Sequence, residues 1–330
     1  MRVTREILLN QARENAAKLA AKDRGLICIY IAGSLLQEDP LIGGITDIDL
    51  ICIHDRRVNS RREVIRLSAD ISLDLAHYEQ EEFEPARKLR TNAWIGGEME
   101  NVPIVLHDSL HWYDFTRASA TAQFWRPENI TARANSFLVP ARKAWSDLRD
   151  DAIPQGIKRT TAYLGALRDT ANSVAVLSGA PLTARRMLVD LPLRSLKANL
   201  PTFAGDFVQL FTNSEITDDL FDQWLQTYPA IFDELKETGA APVSLQFFRR
   251  GYYEKAIRAL YSEHPAASIW IMLYTWTLAA TSLPKSGASY NNWQLLCRSL
   301  ELDSRHMPAR LEALDILLDT VEETVERLQQ

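Results

Sequence analysis

The chain opens on apolar positions at helical spacing. Between Thr4 and Lys22, Ile7, Leu8, Ala12, Ala16, Leu19 and Ala20 recur among charged and amide side chains, which predicts an amphipathic helix. The period then changes. From Leu26 the run LICIYIAGS is continuously apolar, rich in β-branched residues, and stops at Gly33-Ser34, as a buried strand entering a tight turn does. A loop containing Gly, Pro and Asp follows from Gln37 to Thr46, and DIDLICIH predicts a second strand from Asp47 to His54. Residues 59–68 read as a helix and Asp70 to Tyr78 as a third strand. Residues 79–90 (EQEEFEPARKLR) read as a helix that starts late or breaks at Pro85. A fourth strand is expected from Val102 to Leu106.

Up to about residue 115, strands and helices therefore alternate, the signature of a mixed layer structure. From about Ile130 onward the pattern is helix after helix with no strand. Helices are expected over 160–179, from Thr183, from Asp218, from Gly251 and from Met307 to the end, with Pro181, Pro201, Pro229, Pro265 and Pro284 near their boundaries. The expected fold class is α+β: a mixed sheet with flanking helices in residues 1–115, followed by an all-helical domain in residues 116–330.

Length and composition agree with this division. At 330 residues, 46% hydrophobic and 24% charged, the chain can build two domains with sizeable cores. The 37 Lys and Arg against 43 Asp and Glu leave a net charge of −6, which disfavours a nucleic-acid partner that would need phosphate neutralisation. The longest apolar run, Ala266 to Thr281, is interrupted by Ser and Thr and falls short of the roughly 20 residues that span a bilayer, so it reads as a buried helix and no membrane partner is expected. Arg2 and Arg5 are followed by Asn10, Gln11, Arg13 and Glu14, which is not a signal-peptide pattern. Cys28, Cys52 and Cys297 read as small core residues of a reduced compartment, and a cytoplasmic location is the expectation.

The chemistry-bearing segment is IAGSLLQEDPLIGGITDIDLICIH. Gly33 lets a backbone approach a phosphate, and the Ser34 hydroxyl with free amides at a helical turn can bind the anion. Asp47 and Asp49, two apart on a strand, emerge on the same face, where their mutual repulsion favours a divalent cation. Hard oxygen ligands suit Mg2+. Asp74 stands inside the buried-strand pattern Ser72-Leu73-Asp74-Leu75-Ala76, where a charge otherwise has no purpose.

In this order the four elements resemble the nucleotidyltransferase superfamily that includes DNA polymerase beta, and more narrowly its small bacterial branch of aminoglycoside and lincosamide nucleotidyltransferases. The resemblance spans roughly residues 20 to 110 and implies a catalytic domain over 1–115 with a substrate-binding helical domain over 116–330. It implies that Gly33 and Ser34 hold the phosphates of ATP or another nucleoside triphosphate. Asp47, Asp49 and Asp74 would ligate two Mg2+ ions, with Asp74 also placed to take the acceptor's proton. The implied reaction moves a nucleoside monophosphate, AMP from ATP first, onto a hydroxyl of a small molecule, such as an antibiotic of those classes, and releases pyrophosphate. A protein- or RNA-modifying transferase of the AMPylating type and a non-enzymatic binding module stay open as alternatives, as do the nucleobase, the general base and the oligomeric state.

Other residues carry plainer readings. Asp74 on an edge strand facing solvent and Asp47-Asp49 as a turn pair are the structural alternatives for the carboxylates. His54, His77 and His107 fall at strand ends as partly exposed, satisfied imidazoles, and His107 with His111 straddles a strand-to-helix junction ill suited to a metal. Arg56, Arg57, Arg61 and Arg62, and Arg87, Lys88 and Arg90, are solvated faces that can also reach a triphosphate. Ser282 to Lys285 mimics a Ser-x-x-Lys nucleophile by coincidence, and Asn129 a glycosylation acceptor. Tyr252, Tyr253 and Glu254, and Lys285 with Tyr290, Asn291, Asn292 and Trp293, are polar-aromatic groups of the kind that line clefts or pack cores.

Overall fold

The structure, a computed structural model, describes residues 3–109, 111–212 and 216–329. It divides into two compact units, Met1–Asn129 and Ile130–Gln330. The first unit is α+β, with a five-stranded mixed sheet in the order β3-β4-β2-β1-β5. Helix α1 (Arg5–Lys22) precedes β1 (Leu26–Ala32), β2 (Ile48–His54), β3 (Arg62–Arg66) and β4 (Ser72–Glu79). Helix α2 (Ala93–Glu100), β5 (Ile104–Asp108) and α3 (Trp112–Thr121) complete it; Phe115 lies inside α3.

Strand β1 runs antiparallel to both β2 and β5, β3 runs antiparallel to β4, and β2 and β4 are parallel. The continuous apolar runs of β1 and β2 follow from burial on both faces. One face packs Ile29, Ile31, Leu50, Cys52, Leu73 and Leu75 against Leu8, Ala12 and Ala16 of α1. The small alanines let the helix lie close, and Thr4 caps it by accepting the Ile7 amide at 3.3 Å. The other face packs Tyr30, Ile51 and Ile53 against Phe83, Leu89, Ile95, Met99 and Tyr113.

Three local expectations are corrected. The segment read as a helix over 59–68 contains β3, whose Val64 pairs with Asp74 and Ile65 with Leu73. Val64, Ile65 and Leu67 mimic helical spacing because an edge strand pairs on one side only and carries charge on its open side. Residues 79–90 break at Pro85, one of the two expected outcomes, but into short 3₁₀ helices, Gln80–Phe83 and Ala86–Thr91. The fourth expected strand is displaced to Ile104–Asp108. Asp74 is on β4, which is interior to the sheet, and is 4% exposed, so the solvent-facing edge reading does not hold.

All regular elements of the second unit are helical among the described residues: α4 (Pro127–Arg149), α5 (Ile157–Ala175), α6 (Met187–Lys197), α7 (Phe203–Gln209), α8 (Asp218–Thr227), α9 (Ala230–Thr238), α10 (Arg250–Tyr261), α11 (Pro265–Ala280), α12 (Ala288–Ser299) and α13 (Met307–Arg327). Prolines sit at element boundaries as expected, with Pro265 opening α11 and Pro229 preceding α9; Pro140 and Pro192 fall inside α4 and α6. The apolar run of 266–281 is α11, buried nearly all round. Its interrupting polar residues bond across to neighbours. Ser268 Oγ donates to the Ile257 carbonyl at 2.7 Å, Thr275 Oγ1 pairs with Tyr228 Oη at 2.7 Å, and Trp293 Nε1 donates to Thr277 Oγ1 at 2.9 Å. No described helix is long and apolar enough to cross a membrane.

Trp276 is fully buried and donates its indole N–H to the Ser289 carbonyl at 3.0 Å. Trp276→Ala is expected to lower the unfolding free energy by about 3–5 kcal/mol, measured by chemical denaturation. A loss below about 1 kcal/mol would contradict the central placement of α11.

Candidate functional site

The site grows from the parallel pairing of β2 with β4. Their register sets Asp49 opposite Asp74, on adjacent strands about 4.8 Å apart. Asp47 immediately precedes β2 and shares the parity of Asp49, so all three carboxylates belong to the face of Tyr30, Ile51 and Ala76. Asp47 is 3% exposed, Asp74 4%, and Asp49 is half-buried. Three acidic groups at one corner of a sheet, two of them buried, repel strongly unless positive charge is supplied.

The Gly33-Ser34 turn closes over the same corner. Ala32 pairs with Asp49, and β1 passes directly into a single 3₁₀ turn, Gly33–Leu36. Gly33 has φ +71°, and a Cβ placed there would stand 2.1 Å from Asp49 Oδ2. The position therefore demands glycine twice, for its left-handed backbone and for the carboxylate against its Cα. Ser34 Oγ lies 2.7 Å from Thr46 Oγ1, which ties the turn to the start of β2. The five residues singled out in the sequence are thus brought to one end of one sheet.

Two roles at this corner were not legible in the sequence. Arg62 on β3 donates Nε and one terminal nitrogen to the two oxygens of Asp74, at 2.8 and 2.6 Å. Its guanidinium is half-exposed, whereas the Asp74 carboxylate is buried. The misread of β3 as a helix hid this pairing, since Arg62 meets Asp74 only when β3 runs beside β4. The second belongs to Glu98 on α2, whose Oε2 is buried with no hydrogen-bond partner among the described residues. Burial, followed by the charge of Asp49, pushes its carboxyl up to about 8. Gly96 explains how α2 comes so near. A Cβ there would stand 1.9 Å from the Leu89 carbonyl oxygen, so glycine allows α2 to sit down on the preceding 3₁₀ turn, while Asn92 caps the helix by accepting the Ile95 amide at 2.9 Å. Nothing in the GGEM sequence distinguishes Glu98 from a solvated helix residue.

Beneath these groups Tyr30 and Tyr113 pack with ring centroids 5.4 Å apart, and their hydroxyls are likewise buried without a partner. Burial first, then Glu98, raises the Tyr30 phenol well above its usual range. Unsatisfied buried polar atoms are uncommon and concentrate where a structure does more than hold itself together. The donor set fits a hard divalent cation: oxygen-only, rich in carboxylates, and framed by a glycine that leaves room at Asp49.

Other candidates are less suited. Asp108, His111 and Asp114 bring one ligand atom each within 4.8 Å of one another, but both Asp108 oxygens already accept the Tyr113 amide, at 3.1 and 3.2 Å. His107 bonds to the Leu26 carbonyl oxygen at 3.2 Å. Tyr253, Tyr290 and Trp293 are buried packing residues, and Tyr252 is covered by the guanidinium of Arg185 at 3.9 Å from its ring centre. Comparison of the sequence with models of protein families and with curated proteins gives no match.

Two predictions follow from this geometry. An acid whose pKa is raised by folding holds a proton that the unfolded chain has lost, so stability falls as pH rises between about 4.5 and 8. Without divalent metal, Glu98→Gln should therefore gain on the native protein by a few kcal/mol across that window, read from denaturation at pH 5 and pH 8; parallel curves would refute the burial of an ionisable Glu98. Removal of the half-exposed Arg62 takes the bidentate guanidinium away from Asp74. Arg62→Ala should lose about 1–2 kcal/mol without metal, and Mg2+ should raise its melting temperature more than that of the native protein. Equal shifts in both would show that Asp74 is not part of a cation site.

Proposed function

We propose that this protein is a Mg2+-dependent nucleotidyltransferase that moves a nucleoside monophosphate, AMP from ATP first, to a hydroxyl of a small molecule. The observation that carries this reading is the Asp49–Asp74 register, with Asp47 on the same face and Gly33 against the Asp49 carboxylate. Asp47, Asp49 and Asp74 would hold the divalent ions. Bound there, such ions neutralise charge on the attacking and leaving oxygens of an in-line displacement.

The chain's own groups account for the rest of the chemistry. The Gly33 backbone and the Ser34 hydroxyl can hold the terminal phosphates, and Arg62, half-exposed beside Asp74, offers a positive charge to the same polyphosphate. The acceptor oxygen forms a bond to the α phosphorus as the bond to pyrophosphate breaks, and the hydroxyl proton passes to a carboxylate. Asp74 is the carboxylate this reading assigns to take it. The acidic surface suits a cationic acceptor of the aminoglycoside kind, and a lincosamide is the second class to test.

Pyrophosphate release should appear with one of ATP, GTP, CTP or UTP plus Mg2+ in the presence of an aminoglycoside or lincosamide. Asp47→Asn and Asp49→Asn should each reduce it by two or more orders of magnitude, the scale set by loss of a group that stabilises transition-state charge, with the circular-dichroism spectrum unchanged. Full activity in both variants would overturn the assignment. Label from α-labelled ATP found in protein or tRNA and not in small molecules would keep the chemistry and replace the acceptor.

A further inference from the structure

The opposite end of β2 and β4, on the face covered by α1, carries a second polar cluster. His54 Nε2 and His77 Nδ1 lie 2.9 Å apart, and His54 Nδ1 lies 3.5 Å from Asp23 Oδ2. The two histidines come from different strands and meet only because β2 and β4 are neighbours, Cys52 being paired with His77. Burial opposes ionisation of Asp23, but the Gly25 amide and the Arg56 guanidinium outweigh it and hold the carboxyl below its usual range. Burial, and for His54 also the neighbouring imidazole, pushes both histidines down.

This order fixes the protons. The negative charge of Asp23, 3.5 Å from His54 Nδ1, favours the proton on that nitrogen, which leaves Nε2 to accept Nδ1–H of His77 at 2.9 Å. His77 Nε2 is left with its lone pair and makes no further hydrogen bond among the described residues. Asp23 biases the His54 tautomer by its charge, and the His54–His77 hydrogen bond sets that of His77.

Both imidazoles line a cavity of about 470 Å³ that adjoins a smaller one of about 210 Å³. Lys22 and Arg24 line the first and Arg57 the second. Arg56 is paired with Asp23 at 2.6 Å, but Lys22, Arg24 and Arg57 make no ion pair among the described residues. Three uncompensated cations around one hollow stand out in a chain of net charge −6. The surroundings call for an anion, and the lone pair calls for a ligand that also donates a proton. Inorganic phosphate and phosphate monoesters that retain a P–OH supply both. Sulfate has the charge and shape but no proton to donate.

We propose that the Asp23–His54–His77 cavity is a second ligand site, selective for a protonated phosphate group, in which Lys22, Arg24 and Arg57 neutralise the anion and His77 Nε2 accepts the P–OH proton. It involves none of the carboxylates on the other face and stands independently of the proposed transfer reaction.

The probes are inorganic phosphate and sulfate, titrated into the full chain at pH 7 and constant ionic strength. Calorimetry gives the affinity, and long-range nitrogen–proton NMR follows the His54 and His77 imidazoles. The expected result is at least tenfold tighter binding of phosphate, with both imidazole signals moving. His77→Gln should bring the phosphate-to-sulfate ratio close to one, and Arg57→Ala, on an exposed position, should weaken both anions at least threefold. Asp49→Asn should bind phosphate as the native protein does. Equal affinity for the two anions in the native protein, or phosphate binding that leaves both imidazole signals in place, would overturn the proposal.

Discussion

The parallel pairing of β2 with β4 is the constraint on which the rest of the first unit depends. It places Asp49 opposite Asp74 and creates a cost that neighbouring residues visibly offset. Two carboxylates across adjacent strands, with Asp47 beside them, require compensation. Arg62 provides part of it on one flank, and the protonated carboxyl of Glu98 avoids adding a further charge on the other. β3 can bring Arg62 there because it lies at the sheet edge beside β4, and α2 can bring Glu98 because Gly96 removes a Cβ that would strike the Leu89 carbonyl.

The same two strands supply both polar clusters, because successive side chains on a strand point to opposite faces. Asp47 and Asp49 share one face, whereas Cys52 and His54 share the other; Asp74 and His77 separate in the same way along β4. A one-residue slip of β4 would move Asp74 into the apolar core under α1 and take His77 away from His54. Apolar packing on both faces holds the register, so the hydrophobic core sets the polar chemistry at both ends.

Much of this was legible from residues alone. Strands β1, β2 and β4 are long apolar runs, α1 has clear helical spacing, and the Gly33-Ser34 turn and the Asp47-Ile48-Asp49 triplet stand out because charge and glycine interrupt otherwise buried patterns. The segment 59–68 was misread because its apolar residues at 64, 65 and 67 satisfy a helical period, and what makes 62–66 a strand is the unpaired edge of β4, which no local pattern encodes. The pairing of Arg62 with Asp74 was hidden with it. Glu98 was silent because its distinction is burial under α2 within the field of Asp49, which depends on how the helix packs on the sheet. His54 and His77 were visible singly at strand ends, but their pairing depends on strand order.

The central claim is that Asp47, Asp49 and Asp74 form a divalent-cation site. It is tested most directly by titrating Mn2+, as a paramagnetic stand-in for Mg2+, into the metal-free protein while following the free-ion signal by electron paramagnetic resonance. The account predicts saturable binding that Mg2+ displaces and that Asp49→Asn weakens at least tenfold in a protein that remains folded. Absence of binding to the native protein, or binding of equal strength to Asp49→Asn, would contradict it.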